Sequence, residues 1–168
     1  MQLNETGQAS ANYSVWLNSL PTSPVNVPIH FEDSELRVEP SSLAFDSSSW
    51  SVRQHVIVTP KNDWVDTGSI SETVITHEVR SDDKFYERIF ARNVSVTLID
   101  DDLARVRVVH GSGNEGNVTE GGEDDHYDIS LKSRPTENVV VSVYGPGLGQ
   151  LYVSPSTLTF TPANWNTP

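Results

Sequence analysis

The chain has 168 residues, a formal net charge of −12 and no cysteine, which excludes disulfides and thiolate metal sites. Nucleic acids and anionic membrane surfaces require clustered Lys and Arg, so the acidic balance argues against both as partners. No apolar run is long enough for membrane insertion, and the absence of helical periodicity predicts an all-β protein.

Alternating apolar residues predict six strands in the first part of the chain, near residues 12–19, 24–31, 36–45, 53–59, 69–79 and 91–99. Their spacing and the turn-rich segments between them favour an immunoglobulin-like antiparallel β-sandwich. The predicted core consists of Tyr13, Val15, Leu17, Val25, Val27, Ile29, Leu43, Phe45, Val56, Val58, Ile75, Val94, Val96 and Leu98.

The sequence also repeats itself. Residues 12–29 align with residues 126–143, an offset of 114 positions, and residues 36–50 align with residues 151–165, an offset of 115. A repeat of this length is typical of tandem domains rather than of a solenoid.

The repeat predicts one domain at 1–103 and a second at 104–168. We expect the first domain to lack its opening strand, because only Met1–Leu3 precede Glu5, and the second to hold the first half of a repeat. The chain is therefore interpreted as a segment of a longer array. The rest of the chain or another chain is expected to complete the half-domain.

Several segments together resemble the Calx-beta family, over one copy and half of the next. They are VTEGG (118–122), LTF followed by NWN (158–166), NDWVDTG (62–68), ITHEVRSDDKFY (75–86) and the strand end IDDD (99–102). The resemblance implies a calcium-binding or calcium-derived β-sandwich. Such domains occur in sodium/calcium exchangers and integrin tails and, as long arrays, in extracellular matrix and adhesion proteins.

An acidic run, Asp100–Asp102, ends the last strand of the first domain. Three adjacent negative charges repel one another, so they require either bulk water or a cation. If neighbouring strands run up and down in turn, Glu5, residues 32–35 and residues 62–66 fall at the same end of the sandwich. Calcium prefers such oxygen ligands, whereas zinc is disfavoured by this chemistry.

The family's calcium positions carry over by resemblance to six residues, with Glu35 as a weaker seventh where the family often has Asp. The six are Glu5, Asp63, Asp66, Asp100, Asp101 and Asp102. Asn62 stands where the family has an acid. A solvated acidic surface is the alternative interpretation of each residue. A hydrolase with paired carboxylates is disfavoured, because nothing indicates a cleft that would raise a carboxyl pKa.

Four Asn-x-Ser/Thr sequons, at Asn4, Asn12, Asn93 and Asn117, favour a glycosylated protein located outside the cell or on its surface. His77, on the strand face of Ile75, is expected to be a hydrogen-bonded core histidine.

We therefore expect a non-enzymatic calcium-binding structural or adhesion module, in which Ca²⁺ stiffens the joints between repeats. Its expected partners are neighbouring repeats of the same or an identical chain, and other extracellular proteins or glycans. One alternative is a carbohydrate-binding accessory sandwich, which a row of exposed aromatic residues would favour. Another is an intracellular calcium-sensing domain of the exchanger type.

Overall fold

The structure is a computed structural model that describes residues 1–7, 9–32, 35–87, 89–110, 118–147 and 151–168. All thirteen regular elements within these ranges are β-strands, so the predicted all-β class is confirmed. None of the described residues belongs to a helix long and apolar enough to cross a membrane. The chain divides into two compact units, Met1–Asp63 with Ser69–Asp101 and Trp64–Gly68 with Asp102–Pro168.

The first unit contains the strands β1 (Gln2–Asn4), β2 (Ala11–Val15), β3 (Val25–His30), β4 (Leu36–Glu39), β5 (Ser42–Phe45), β6 (Gln54–Pro60), β7 (Ile70–His77), β8 (Arg80–Ser81) and β9 (Val94–Ile99). One sheet has the order β1-β9-β7-β3-β5, with β8 also paired to β3, and the other has the order β2-β6-β4. Every pairing is antiparallel except that of β1 with β9. This arrangement is the predicted antiparallel β-sandwich.

The core of this unit follows the alternation of its strands. All fourteen predicted core residues belong to one apolar cluster, either fully buried or, for Tyr13, Val15 and Val94, partly buried against it. The cluster also holds Leu3, Leu36, Val38 and Tyr86, which were not predicted as core. Burial of alternate side chains from both sheets holds the sandwich together.

The single strand expected over residues 36–45 is wrong, because the structure has two strands there in different sheets. β4 pairs with β6, whereas β5 pairs with β3. Pro40 lies between them after a cis peptide bond. Proline has no N–H to donate to a ladder, so the chain leaves one sheet here and enters the other.

The prediction that the first domain lacks an opening strand is also wrong in part. Gln2–Asn4 form β1, which pairs in parallel with Thr97–Ile99 of β9. The N–H of Thr97 donates to the carbonyl of Met1 at 2.8 Å, and the N–H of Glu5 donates to the carbonyl of Ile99 at 3.1 Å. Three residues are enough here because a hydrogen bond at each end continues the ladder.

The second unit contains β10 (Val106–His110), β11 (Tyr127–Leu131), β12 (Val139–Ser142) and β13 (Thr157–Phe160). β10 pairs with β11 and β12 with β13, both antiparallel. Ile129, Leu131 and Phe160 are its buried apolar residues, and Val139, Val141, Val143, Leu158 and Trp165 pack around them.

The units depart from the predicted division at 103/104. Trp64–Gly68 and Asp102 belong to the second unit. The N–H of Ala104 donates to Oδ2 of Asp66 at 2.7 Å, and the N–H of Arg134 donates to the carbonyl of Trp64 at 2.7 Å. These backbone N–H donors fix the segment of Trp64 and Asp66 within the second unit.

Candidate metal centre

The candidate site lies where β1 and β9 end side by side. Leu3 is paired with Leu98, and both side chains are buried in the core. Strand side chains alternate between the two faces, so Glu5 and Asp100, each two residues further along, continue the inward direction. Glu5 is 1% exposed and Asp100 7% exposed, which places both carboxyl groups at the end of the core.

Glu5, Asp100 and Asp102 form an acidic cluster. One carboxylate oxygen from each lies within 4.8 Å of the other two. Negative charges at this separation repel one another, and burial weakens the screening that water would supply. A cation among the three oxygens would relieve that repulsion.

The donor set of the acidic cluster fits calcium. All three donors are carboxylate oxygens, the hard ligands that Ca²⁺ prefers, and the chain has no cysteine to favour a softer metal. Calcium takes about six to eight oxygen ligands, so three carboxylate oxygens would leave positions for backbone carbonyls or water.

Asp101 stands apart from its two neighbours. It is exposed, and it does not belong to the acidic cluster. The alternation that turns Asp100 and Asp102 inward turns the residue between them outward. Asp101, predicted as a ligand together with its two neighbours, therefore lies outside the acidic cluster.

Asp66 has another role in the structure. Its Oδ1 accepts the N–H of Gly68 at 3.0 Å, and its Oδ2 accepts the N–H of Ala104 at 2.7 Å. Each carboxylate oxygen thus accepts one backbone N–H, and Asp66 lies outside the acidic cluster.

Asp63 and Glu35 are half-buried and likewise outside the acidic cluster. The carbonyl of Glu35 accepts the N–H of Lys61 at 2.7 Å, so the start of β4 meets the end of β6. The N–H of Asp100 donates to the carbonyl of Ser69 at 3.3 Å, which brings the end of β9 to the start of β7.

His77 is the core histidine that its strand position predicts. It is buried, and its Nε2 lies 2.8 Å from the hydroxyl oxygen of Tyr13, whose ring meets the imidazole edge-on. Burial lowers the pKa of His77, while a backbone hydrogen bond with Arg92 acts in the opposite direction. Burial also raises the pKa of Tyr13 to about 12. The pair is a neutral, structural contact rather than a metal ligand set.

Three of the four sequons present exposed asparagines, at Asn4, Asn12 and Asn93. The fourth, Asn117, lies outside the described residues. A glycan attachment site must be exposed, so these three positions are compatible with glycosylation. The extracellular location stays a prediction.

A scan against protein-family models and a search of curated proteins each found no match. Among solved structures, the chain is similar to WR4, a C. elegans MSP family member, at 12% identity over 59% of this chain and 91% of that one, with a TM-score of 0.38. It is also similar to the YadV chaperone, at 10% identity over 84% and 70% with a TM-score of 0.40, and to the E. coli chaperone DraB, at 8% identity over 83% and 85% with a TM-score of 0.41.

Proposed function

We propose that this chain is a non-enzymatic, calcium-binding structural and adhesion module built from tandem Calx-beta-like sandwiches. The observation that carries the proposal is the acidic cluster, in which buried Glu5 and Asp100 and half-buried Asp102 bring carboxylate oxygens within 4.8 Å of one another. Two adjacent strand ends direct these groups to one point, and the cation that such a donor set suits is Ca²⁺.

The proposed effect of calcium is mechanical. Glu5 follows β1, whereas Asp100 and Asp102 follow β9. A cation held by all three would join the start of the sandwich to the chain that leaves β9, and so restrain that chain. In an array of repeats, this restraint would favour a rigid rod with calcium and a flexible one without it.

The proposed location is extracellular or at the cell surface, and the proposed partners are neighbouring repeats and other extracellular proteins or glycans. Support comes from the exposed sequon asparagines and from the internal repeat. Metal binding is a common source of stability for small secreted domains without disulfides.

Calorimetric titration of the chain with Ca²⁺, after chelator treatment, tests the proposal. We expect saturable binding that is lost in Asp100→Asn and kept in Asp101→Asn. The two variants remove the same charge from neighbouring positions, but only Asp100 belongs to the acidic cluster. Absence of calcium-dependent heat, or equal loss in both variants, would overturn the proposed site.

A further inference from the structure

The outer face of the sheet β2-β6-β4 carries an unmatched pair of residues. Tyr13 and Val56 are opposite each other in the ladder and turn into the core. The neighbouring pair, Asn12 and Ile57, therefore turns outward, and both residues are exposed, Ile57 at 49%. Residues directly opposite in a ladder have Cβ atoms about 4.5 to 5.5 Å apart, so the amide of Asn12 lies beside an exposed aliphatic side chain.

The pairs on either side of Asn12 and Ile57 are joined by hydrogen bonds. Ser10 Oγ lies 2.7 Å from Oγ1 of Thr59, and Ser14 Oγ lies 3.1 Å from Nδ1 of His55. The side chain of Asn12 has no hydrogen-bond partner in the described part of the chain. Its amide nitrogen is therefore available for modification without the loss of a contact.

An open depression lies beyond Ile57 on the same face, toward β4. Its volume is about 550 Å³, and its lining includes Glu39, Ser41, His55 and Ile57. Glu39 is the residue of β4 that is opposite Ile57. The row Asn12, Ile57, Glu39 thus crosses the sheet from an amide, over an apolar side chain, to groups that can hydrogen-bond with hydroxyls.

The chemistry of a sugar matches this row. A pyranose ring presents C–H groups on its faces and hydroxyl groups around its rim, so it can pack on an aliphatic side chain and still hydrogen-bond at its edge. Asn12 begins the sequon at residues 12–14, so a sugar attached there starts directly beside Ile57.

We propose that Asn12 carries an N-linked glycan whose first N-acetylglucosamine packs on Ile57 and whose following sugars lie over the depression lined by Glu39 and His55. In the attachment, Nδ2 of Asn12 loses one proton and bonds to C1 of N-acetylglucosamine, while the diphosphate of a lipid-linked donor leaves. The inference rests on the extracellular location proposed above, and it does not depend on the proposed calcium site.

Such a glycan would have two effects. It would stabilise the first unit, because the folded state alone brings Asn12 and Ile57 together and buries apolar surface of Ile57 under the sugar. It would also shield the outer face of β2-β6-β4, a bulky and hydrophilic cover that keeps this face from acting as an adhesion surface.

Thermal melting of the full chain, secreted from a eukaryotic cell, tests the proposal. The substitutions Asn4→Gln, Asn93→Gln and Asn117→Gln leave Asn12 as the one remaining sequon, and an endoglycosidase trims its glycan to a single N-acetylglucosamine. We expect this form to melt about 2 to 4 °C above the same chain with Asn12→Gln. The difference should fall below about 1 °C when Ile57→Thr is added, because threonine keeps the β-branch but removes most of the apolar surface.

A matched control keeps Asn93 as the one remaining sequon. Asn93 lies outside β2 and β6, so the effect of its sugar on the melting temperature should be the same with and without Ile57→Thr. Methyl NMR gives a second readout, in which the δ1 methyl resonance of Ile57 should shift when Asn12 carries N-acetylglucosamine.

An unmodified Asn12 in a chain that is glycosylated at Asn93 would overturn this inference alone. So would a stabilisation by the Asn12 sugar that survives Ile57→Thr, or a methyl resonance of Ile57 that does not move. If every sequon stayed unmodified after secretion, the proposed extracellular location would fail together with this inference. Calcium titration of unglycosylated chain tests the acidic cluster separately from all of these outcomes.

Discussion

The amide nitrogen of Leu131 lies 2.8 Å from the carbonyl oxygen of Trp165. The first unit makes the same bond, also at 2.8 Å, between Leu17 and Trp50. These residues are partners in the sequence repeat, at offsets of 114 (131 − 17) and 115 (165 − 50) positions. The repeat in the sequence is therefore also a repeat of backbone hydrogen bonding, which extends to the paired strands β3–β5 and β12–β13.

Leu43→Ala is expected to lower the free energy of unfolding of the first unit by about 2 to 5 kcal/mol, the usual cost of a cavity at a buried leucine. Leu43 is 2% exposed. Ile57→Ala is the matched control, because Ile57 is 49% exposed and its truncation should cost about 0.5 kcal/mol or less. Urea denaturation measures both, and equal losses would contradict the observed orientation of the strands.

Acidification is expected to destabilise the first unit through His77. Its pKa is lowered by burial in the folded state, so below the unfolded pKa of about 6.5 the unfolded chain binds a proton that the folded chain does not. The stability that neutral His77 contributes is fully present above the unfolded pKa. It is lost as the pH falls from the unfolded pKa toward the lower folded pKa. His77→Gln should lack this component between pH 7 and 5 in urea denaturation. A parallel pH dependence in both proteins would show that His77 is not buried as a neutral base.

The loop after β8 is expected to depend on Asp83. Its carboxylate accepts the N–H of Thr22 at 2.7 Å and the N–H of Phe85 at 2.9 Å. The bond from Thr22 is the larger of the two effects that hold the pKa of Asp83 below its usual range. The resulting stability is present above the unfolded pKa of about 3.9 and is lost as the pH falls through the folded value.

Asp83→Asn should therefore lower the melting temperature at pH 7, and the difference from the parent protein should shrink in acid. Asp82→Asn is the control, since Asp82 is exposed. Equal melting temperatures for the two variants at pH 7 would be the contrary result.

Secretion from a eukaryotic cell is expected to yield a glycan at Asn93, which is exposed. Enzymatic removal of N-glycans should then reduce the mass of the parent protein by more than that of Asn93→Gln. Identical mass changes would count against glycosylation at this position.

Alternation was sufficient to predict most of the first unit. Val25, Val27 and Ile29 read as one buried face from the sequence alone, and they are buried in the structure. The same reasoning merged β4 with β5, although the buried residues lie at even positions (36 and 38) before Pro40 and at odd positions (43 and 45) after it, where the chain changes sheet. Periodicity predicts which face of a strand a residue occupies, but it does not predict which strand pairs with it.

The candidate site shows the same limit. Strand parity correctly brought Glu5 and the end of β9 together, and continued alternation would have separated Asp101 from Asp100 and Asp102. The position of Asp66 could not be predicted, because it depends on a long-range bond to the backbone of Ala104. A carboxylate close in sequence to the acidic cluster can either join it or accept backbone N–H groups elsewhere. Only the three-dimensional structure distinguishes these two roles.

Thermal melting of the chain in calcium and in chelator tests the central proposal most directly. If Ca²⁺ binds the folded state alone, a concentration about 100 times its dissociation constant adds roughly 2.7 kcal/mol of stability. We expect the melting temperature of the first unit to rise by several degrees in the parent chain and in Asp101→Asn, and to stay constant in Asp100→Asn. A melting temperature of the parent chain that is the same in millimolar calcium and in chelator would contradict the assignment of Glu5, Asp100 and Asp102 as a calcium site.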